Sequence, residues 1–175
     1  HPLNLEVIGP EAQRDNMQSA AYRVIWGFLR KCPASKVRFC IFDPKEGGGS
    51  VRMLSNFVNK MPDSYKKAVT QMSRTEELLS CLKELEGQTL DFIRDRPDYD
   101  DLLDYNAHNP RRTEAITLLM LYDFPLNADA RCLELLSSVM QKGNKCGIYV
   151  INTCAVTVEA ERKARQMIRR AARHN

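Results

Sequence analysis

Two stretches of this chain carry the residue types that handle phosphate and magnesium, and in both the decisive positions are altered. The first is Gly9-Pro10-Glu11-Ala12-Gln13-Arg14-Asp15-Asn16, set between a strand-like run and a helical one. A polyphosphate-binding turn in that setting reads Gly-x-x-x-x-Gly-Lys-Ser/Thr. Its glycines bring backbone N–H groups close to the phosphates, its lysine neutralises them and its hydroxyl holds Mg²⁺. Gly9 keeps the first position, and Gln13 precedes three departures: Arg14 at the second glycine, Asp15 at the lysine and Asn16 at the hydroxyl. Asp15 turns a negative charge toward the place of a triphosphate and reverses the sign of the strongest Coulomb interaction. Arg14 adds a Cβ and a long side chain where backbone must approach closely. Taken alone, the octet reads as an ordinary strand–loop–helix connection.

The second stretch is the apolar run Ile116–Tyr122, closed by Asp123 and Phe124. An apolar strand ending in Asp and then Glu holds Mg²⁺ through the first acid and positions an attacking water with the second. Here Asp123 is present and Phe124 replaces the second acid.

Other chemistry is thinly represented. The six cysteines, at 32, 40, 81, 132, 146 and 154, include no Cys-x-x-Cys pair and lie far from the three histidines. They read as reduced thiols, and no metal site is expected. His108 lies in a polar loop. Asp98, Asp100, Asp101 and Asp104 lack the spacing of a calcium loop and read as a solvated helical turn.

Strand–helix alternation organises these residues. Leu3–Ile8 reads as a strand ended by Gly9-Pro10, and Met17, Ala21, Val24 and Phe28 mark a helix to Leu29. Val37–Phe42 is a second strand, followed by a loop through Gly47-Gly48-Gly49. A short helix over Met53–Asn59 and a strand over Tyr65–Thr70 come next. Ser73-Arg74-Thr75-Glu76 is a capping box ahead of the stripe Leu78, Leu82, Leu85, Thr89 and Phe92. Asp98–Asn106 is a helical turn, and Ile116–Tyr122 suits a strand buried on both faces. Ala128–Lys142 is an amphipathic helix capped by Gly143, Ile148–Thr153 is a further strand, and a last helix starts near Val158. This order predicts an α/β domain, a three-layer αβα sandwich on a mostly parallel sheet, and with the octet and the strand ending in Asp123 it resembles the RecA/P-loop NTPase-like fold. Ligands in such sheets bind at the carboxyl ends of the strands. Gly9–Asn16, Asp43–Gly49, Asp123-Phe124 and Thr153-Cys154 therefore form the candidate site.

The 175 residues suit one domain with its own core. With 43% hydrophobic and 27% charged residues the chain is globular, not disordered. No apolar run approaches the roughly 20 residues of a membrane span. The N-terminal residues lack the pattern of a signal peptide and read as the start of a segment of something longer. The net charge of +4 permits nucleic-acid contact without arguing for it, and the basic stretch with Arg162, Arg165, Arg169 and Arg170 is where DNA would be met.

Six motifs in order resemble the FtsK/SpoIIIE group of P-loop motor ATPases, which includes coupling ATPases of type VII secretion. They are the octet; Val37–Lys45 ending in Asp43-Pro44-Lys45 before the glycines; Met61-Pro62; Asp104-Tyr105-Asn106-Ala107 after the long helix; Leu118–Asp123; and Gly143-Asn144-Lys145-Cys146-Gly147-Ile148, leading into Asn152-Thr153-Cys154. The resemblance spans nearly the whole chain. It makes Gly9, Gln13, Arg14, Asp15 and Asn16 the nucleotide-facing (Walker A) positions. It makes Asp123 and Phe124 the Walker B positions, and Thr153 and Cys154 the sensor positions. Because Asp15, Asn16, Phe124 and Cys154 depart from the pattern, it implies a degenerate copy, a single domain over 1–175 that belongs to a longer chain and does not hydrolyse ATP. ATP and Mg²⁺ are expected only if the altered site still binds them. The expected partners are other ATPase domains of the same chain or oligomer. The expected location is cytoplasmic, under a parent with its own membrane anchor or none, and with no membrane contact by this segment. Two alternatives stay open: an active ATP-dependent DNA translocase domain, and a docking domain for secreted protein substrates.

Overall fold

The computed structural model describes residues 4–44, 56–125 and 128–156. In chain order these form β1 (Leu5–Pro10), α1 (Arg14–Leu29), β2 (Val37–Phe42), α2 (56–60), α3 (Asp63–Lys66), β3 (Val69–Met72), α4 (Thr75–Asp95), α5 (Leu102–His108), β4 (Ile116–Tyr122), α6 (Ala130–Lys142) and β5 (Ile148–Val156). The strands make one sheet in the order β1-β5-β4-β2-β3, and every neighbouring pair is parallel.

Burial explains the order. All seven residues of β4 are buried, because β5 and β2 flank it and helices cover both faces. A strand with no solvated face has no polar alternation, hence its continuous apolar run. On one face Tyr22, Ile25 and Leu29 of α1 pack on Phe39, Ile41, Leu118 and Met120. On the other, Leu78, Leu82 and Leu85 of α4 join Leu135, Leu136 and Val139 of α6 over Phe42, Leu119, Leu121 and Val150. Alternate residues of one strand therefore serve opposite cores, and the result is the expected three-layer α/β architecture with an all-parallel described sheet.

Several expected boundaries move. β1 continues through Gly9-Pro10, where Pro10 pairs with Val156. Proline is tolerated there because β1 is an edge strand and its missing N–H costs no second ladder. The helix expected from Met17 begins at Arg14, so Arg14, Asp15 and Asn16 form its first turn. The strand expected over Tyr65–Thr70 is displaced to Val69–Met72, and Tyr65 lies in α3, its hydroxyl donating to the carbonyls of Leu29 and Cys32 at 3.0 and 2.7 Å. Gly143 is the C-cap of α6 as expected, with an ordinary φ of −62°. The left-handed residue is Gly147, with φ +74°.

The capping acid at α4 is Glu77, not Glu76. Its carboxylate accepts from the Ser73 and Arg74 amides at 2.8 and 3.1 Å, and the Arg74 guanidinium meets it at 2.9 Å. The Ser73 amide first, and then Arg74, draw Glu77 from 4.5 to about 2. A carboxyl depressed in the folded state contributes stability that is complete above its ordinary pKa and is lost as pH falls through the folded value. Thermal melts of the wild type should therefore contain a component that disappears between pH 4.5 and about 2. Glu77→Gln should lack that component, and identical pH profiles for the two proteins would contradict the assignment.

Candidate functional site at the strand ends

The sheet places the carboxyl ends of β1, β5 and β4 side by side, and across them the first helical residue of α1 reaches the residue that closes β4. Asp123 has a φ of +52°. It is held in that left-handed conformation by its own amide, which donates to the Thr153 carbonyl at 2.6 Å, and by Oδ1, which accepts from the Ala155 amide at 3.2 Å. Aspartate tolerates this region better than most side chains. Oδ2 meets Nη1 of Arg14 at 2.7 Å, with the two side chains 7% and 16% exposed. Glu11 stands at the outer side of the same guanidinium, 3.5 Å from Nη2. The structure thus brings two of the sequence-derived candidates into an ion pair, the buried Asp123 and the partly buried Arg14, beside the Thr153 backbone.

The other candidates have local structural explanations. A Cβ on Gly9 would lie 2.8 Å from the Met17 sulfur, so this glycine leaves room for a buried methionine of α1. Asp15 is exposed in the first turn of α1, where a carboxylate complements the helix dipole. Gln13 and Asn16 are exposed beside it. Phe124, expected at the second Walker B position, is buried in the α4/α6 core, and its carbonyl accepts from Asn152 Nδ2 at 3.2 Å. Thr153 takes part through its carbonyl, its side chain being buried. The Cys154 thiol is buried and pushed up, first by burial and then by the charges of Asp123 and Glu6, which makes it a poor nucleophile. Arg162, Arg165, Arg169, Arg170 and the Gly47-Gly48-Gly49 turn lie outside the described residues.

Two neighbouring tyrosines were not legible as part of this region. Tyr22 of α1 and Tyr122 of β4 tilt against each other with ring centroids 6.1 Å apart, next to the Asp43 side chain. Burial pushes Tyr22 up to about 12 and Tyr122 well above its ordinary value, so both stay neutral. The remaining motifs are architectural. Asn106 clamps the backbone of Glu114 on both sides at 2.8 and 2.9 Å, and Arg96 pairs with Glu114 while lying 4.3 Å over the Tyr105 ring. Asp101 caps α5 by accepting from the Asp104 amide, which accounts for part of the acidic cluster. Among the described residues no group of three or more metal-ligating side chains comes together.

Neither a family model nor a curated protein matches the sequence. Solved structures do. ATPases 2 and 3 of EssC from Geobacillus thermodenitrificans align at 15% identity and a TM-score of 0.63, over 89% of this chain and 28% of that one. The monomer form of the pCW3 conjugation coupling protein TcpA with ATPγS aligns at 12% identity and 0.62, over 86% and 42%. ATPases 2 and 3 of Thermomonospora curvata EccC, in complex with a signal sequence peptide, align at 14% identity and 0.59, over 88% and 25%. At such identities the likeness establishes the fold. This chain has the α/β fold of the ATPase domains of secretion and conjugation motors, as the FtsK/SpoIIIE resemblance implied. It spans between about a quarter and two-fifths of the length of these three chains. No helix among the described residues is long and apolar enough to cross a membrane.

Proposed function

We propose that this domain is a noncatalytic copy of a motor-ATPase domain, one unit of a longer chain, that serves as a structural or partner-binding module for other ATPase domains. The observation that carries this reading is the Arg14–Asp123 ion pair. The carboxylate oxygen that would face a magnesium ion lies 2.7 Å from a guanidinium nitrogen. A second positive charge at that oxygen would be repelled by the guanidinium already there. The flanking charges, Glu11 and Asp15, are both negative, and the octet contains no lysine. These residues do not fit a magnesium triphosphate. Phe124, buried in a core, has no means of orienting a water. The same arguments weigh against an active DNA translocase domain. Phosphate release from MgATP by the purified protein is expected to equal the protein-free blank, with or without DNA. Turnover that disappears in Asp123→Asn would overturn the proposal.

One observation favours a second reading, docking of a secreted substrate. Beside β1, the edge strand of the described sheet, Ile8, Phe124, Pro125, Leu136 and Met140 line an apolar groove of about 450 Å³, with Ile8 60% exposed. The EccC structure in complex with a signal sequence peptide shows that a protein of this fold takes such a ligand. Fluorescence anisotropy with labelled amphipathic peptides tests this reading, which fails if Met140→Glu leaves their binding unchanged.

A further inference from the structure

The helix layer that holds α4 and α6 stops short of β1. Leu82 and Leu85 of α4 and Leu135, Leu136 and Val139 of α6 pack over β2, β4 and β5 on that face. On the same face Glu6 and Ile8 of β1 form one wall of the groove of about 450 Å³, and Leu136 and Met140 of α6 form the other. Ile8 is 60% exposed and Met140 40%. Asn4 ties the two walls together. Its Nδ2 donates to the Met140 carbonyl at 3.2 Å, and its Oδ1 accepts from the Val150 amide at 3.0 Å. The six residues of β1 run about 20 Å along the groove. Among the described residues that line it, Glu6 carries the only charge.

The handedness of the fold decides which part of the chain belongs there. The connections from β3 through α4 to β4 and from β4 through α6 to β5 both step toward β1, with their helices on this face. The connection from β1 through α1 to β2 steps the other way, with its helix on the opposite face. Parallel strands are joined in this right-handed sense almost without exception. A chain that leaves β5 and steps on in the direction of β1 therefore carries its next helix on the α6 face, over β1. The exit point agrees, since Val156 at the end of β5 pairs with Pro10, two residues beyond Ile8. The sequence that follows reads as a helix from near Val158, in which Ala160, Ala164, Met167, Ile168 and Ala171 recur at helical spacing. In helical projection Arg162, Arg165 and Arg169 fall opposite that stripe, and Lys163 and Arg170 fall on its flank. A helix over 158–172 is about 22 Å long, which matches the groove. The apolar stripe suits the apolar walls, and the flanking cations suit Glu6.

We propose that residues 158–172 lie in this groove as a helix, alongside α6 and over β1. The inference goes beyond the docking reading, because a peptide that occupies the groove does so by displacing this segment.

Hydrogen exchange of the whole protein, read by mass spectrometry, tests this with no peptide present, so its outcome is independent of the docking reading. Amides within 160–171 should exchange at least about tenfold more slowly than in a synthetic peptide of the same sequence. Ile8→Lys and Met140→Lys alter side chains that are already exposed, and they set a like charge against the basic segment. Each should bring 160–171 close to the rate of the peptide while β4 and α6 stay protected. p-Benzoylphenylalanine placed at position 8 should, on irradiation, link to residues 158–172 of the same molecule. Fast exchange of 160–171 in the unmutated protein, protection that both substitutions leave intact, or links from position 8 to a second molecule would overturn the proposal. The first readout uses the unmutated protein, so instability of a variant cannot obscure the result.

Discussion

Arg14→Met is expected to lower the unfolding free energy by about 3–5 kcal/mol near neutral pH, the usual cost of removing one partner of a buried ion pair. Methionine keeps much of the side-chain volume, so the loss is electrostatic. Asp123 would be left 5% exposed with one oxygen still accepting from the Ala155 amide and the other without its guanidinium. The double variant is the sharper test. Asparagine tolerates the left-handed conformation at position 123 and can accept the same Ala155 hydrogen bond through its side-chain oxygen. Arg14→Met with Asp123→Asn should therefore recover at least half of the loss, because no buried charge remains. Urea unfolding of the four proteins in the cycle measures this coupling directly. Additive losses would mean that the two side chains do not act as a pair.

Gly147→Ala should cost on the order of 3 kcal/mol, combining the penalty of a left-handed non-glycine residue with overpacking. The backbone there has φ +74°, and an added Cβ would sit 2.4 Å from Leu102 Cδ2 and 3.3 Å from Ile116 Cγ2. Leu102 is 1% exposed and packed into the core on the α1 side of the sheet. At Gly143 the backbone is ordinary and the nearest contacts of a Cβ are 3.2 and 3.3 Å, so Gly143→Ala should cost clearly less. Thermal melts of the two alanine variants rank these effects, and equal losses would contradict the steric explanation. The comparison also gives physical content to the Gly-x-x-x-Gly spacing that helped to place the family resemblance. The first glycine allows a close approach of Ile148 and Val139, and the second makes the turn that admits β5.

Much of the framework was legible because it depends on local periodicity. Ile116–Tyr122 could be read as the central strand because a strand covered on both faces has no polar residues to spare. The stripe from Leu78 to Phe92 could be read as a long helix because its buried residues recur at helical spacing. What failed depended on position in the sheet. Pro10 signals a chain break in sequence, yet β1 lies at an edge where a missing N–H is harmless. Glu76 and Glu77 are adjacent acids, and only the observed start of α4 decides which one caps it. The site was legible as a set of altered positions, but not as an interaction. Arg14 and Asp123 meet only after β5 has inserted between β1 and β4, and no local pattern announces that pairing. Gly9 carried the opposite lesson. It matched a phosphate-binding motif, while in the structure its missing side chain makes room for Met17.

The exposed apolar residues Ile8 and Met140 are arranged along one groove at the β1 edge of the described sheet, and exposed apolar patches mark contact surfaces more often than chance.

The most direct test is an isothermal titration of the unmodified protein with MgATP. If the Arg14 guanidinium already neutralises Asp123, no saturable heat should be seen up to millimolar nucleotide, and added magnesium should make no difference. A single site with micromolar affinity that is lost when magnesium is chelated would contradict the account at its centre.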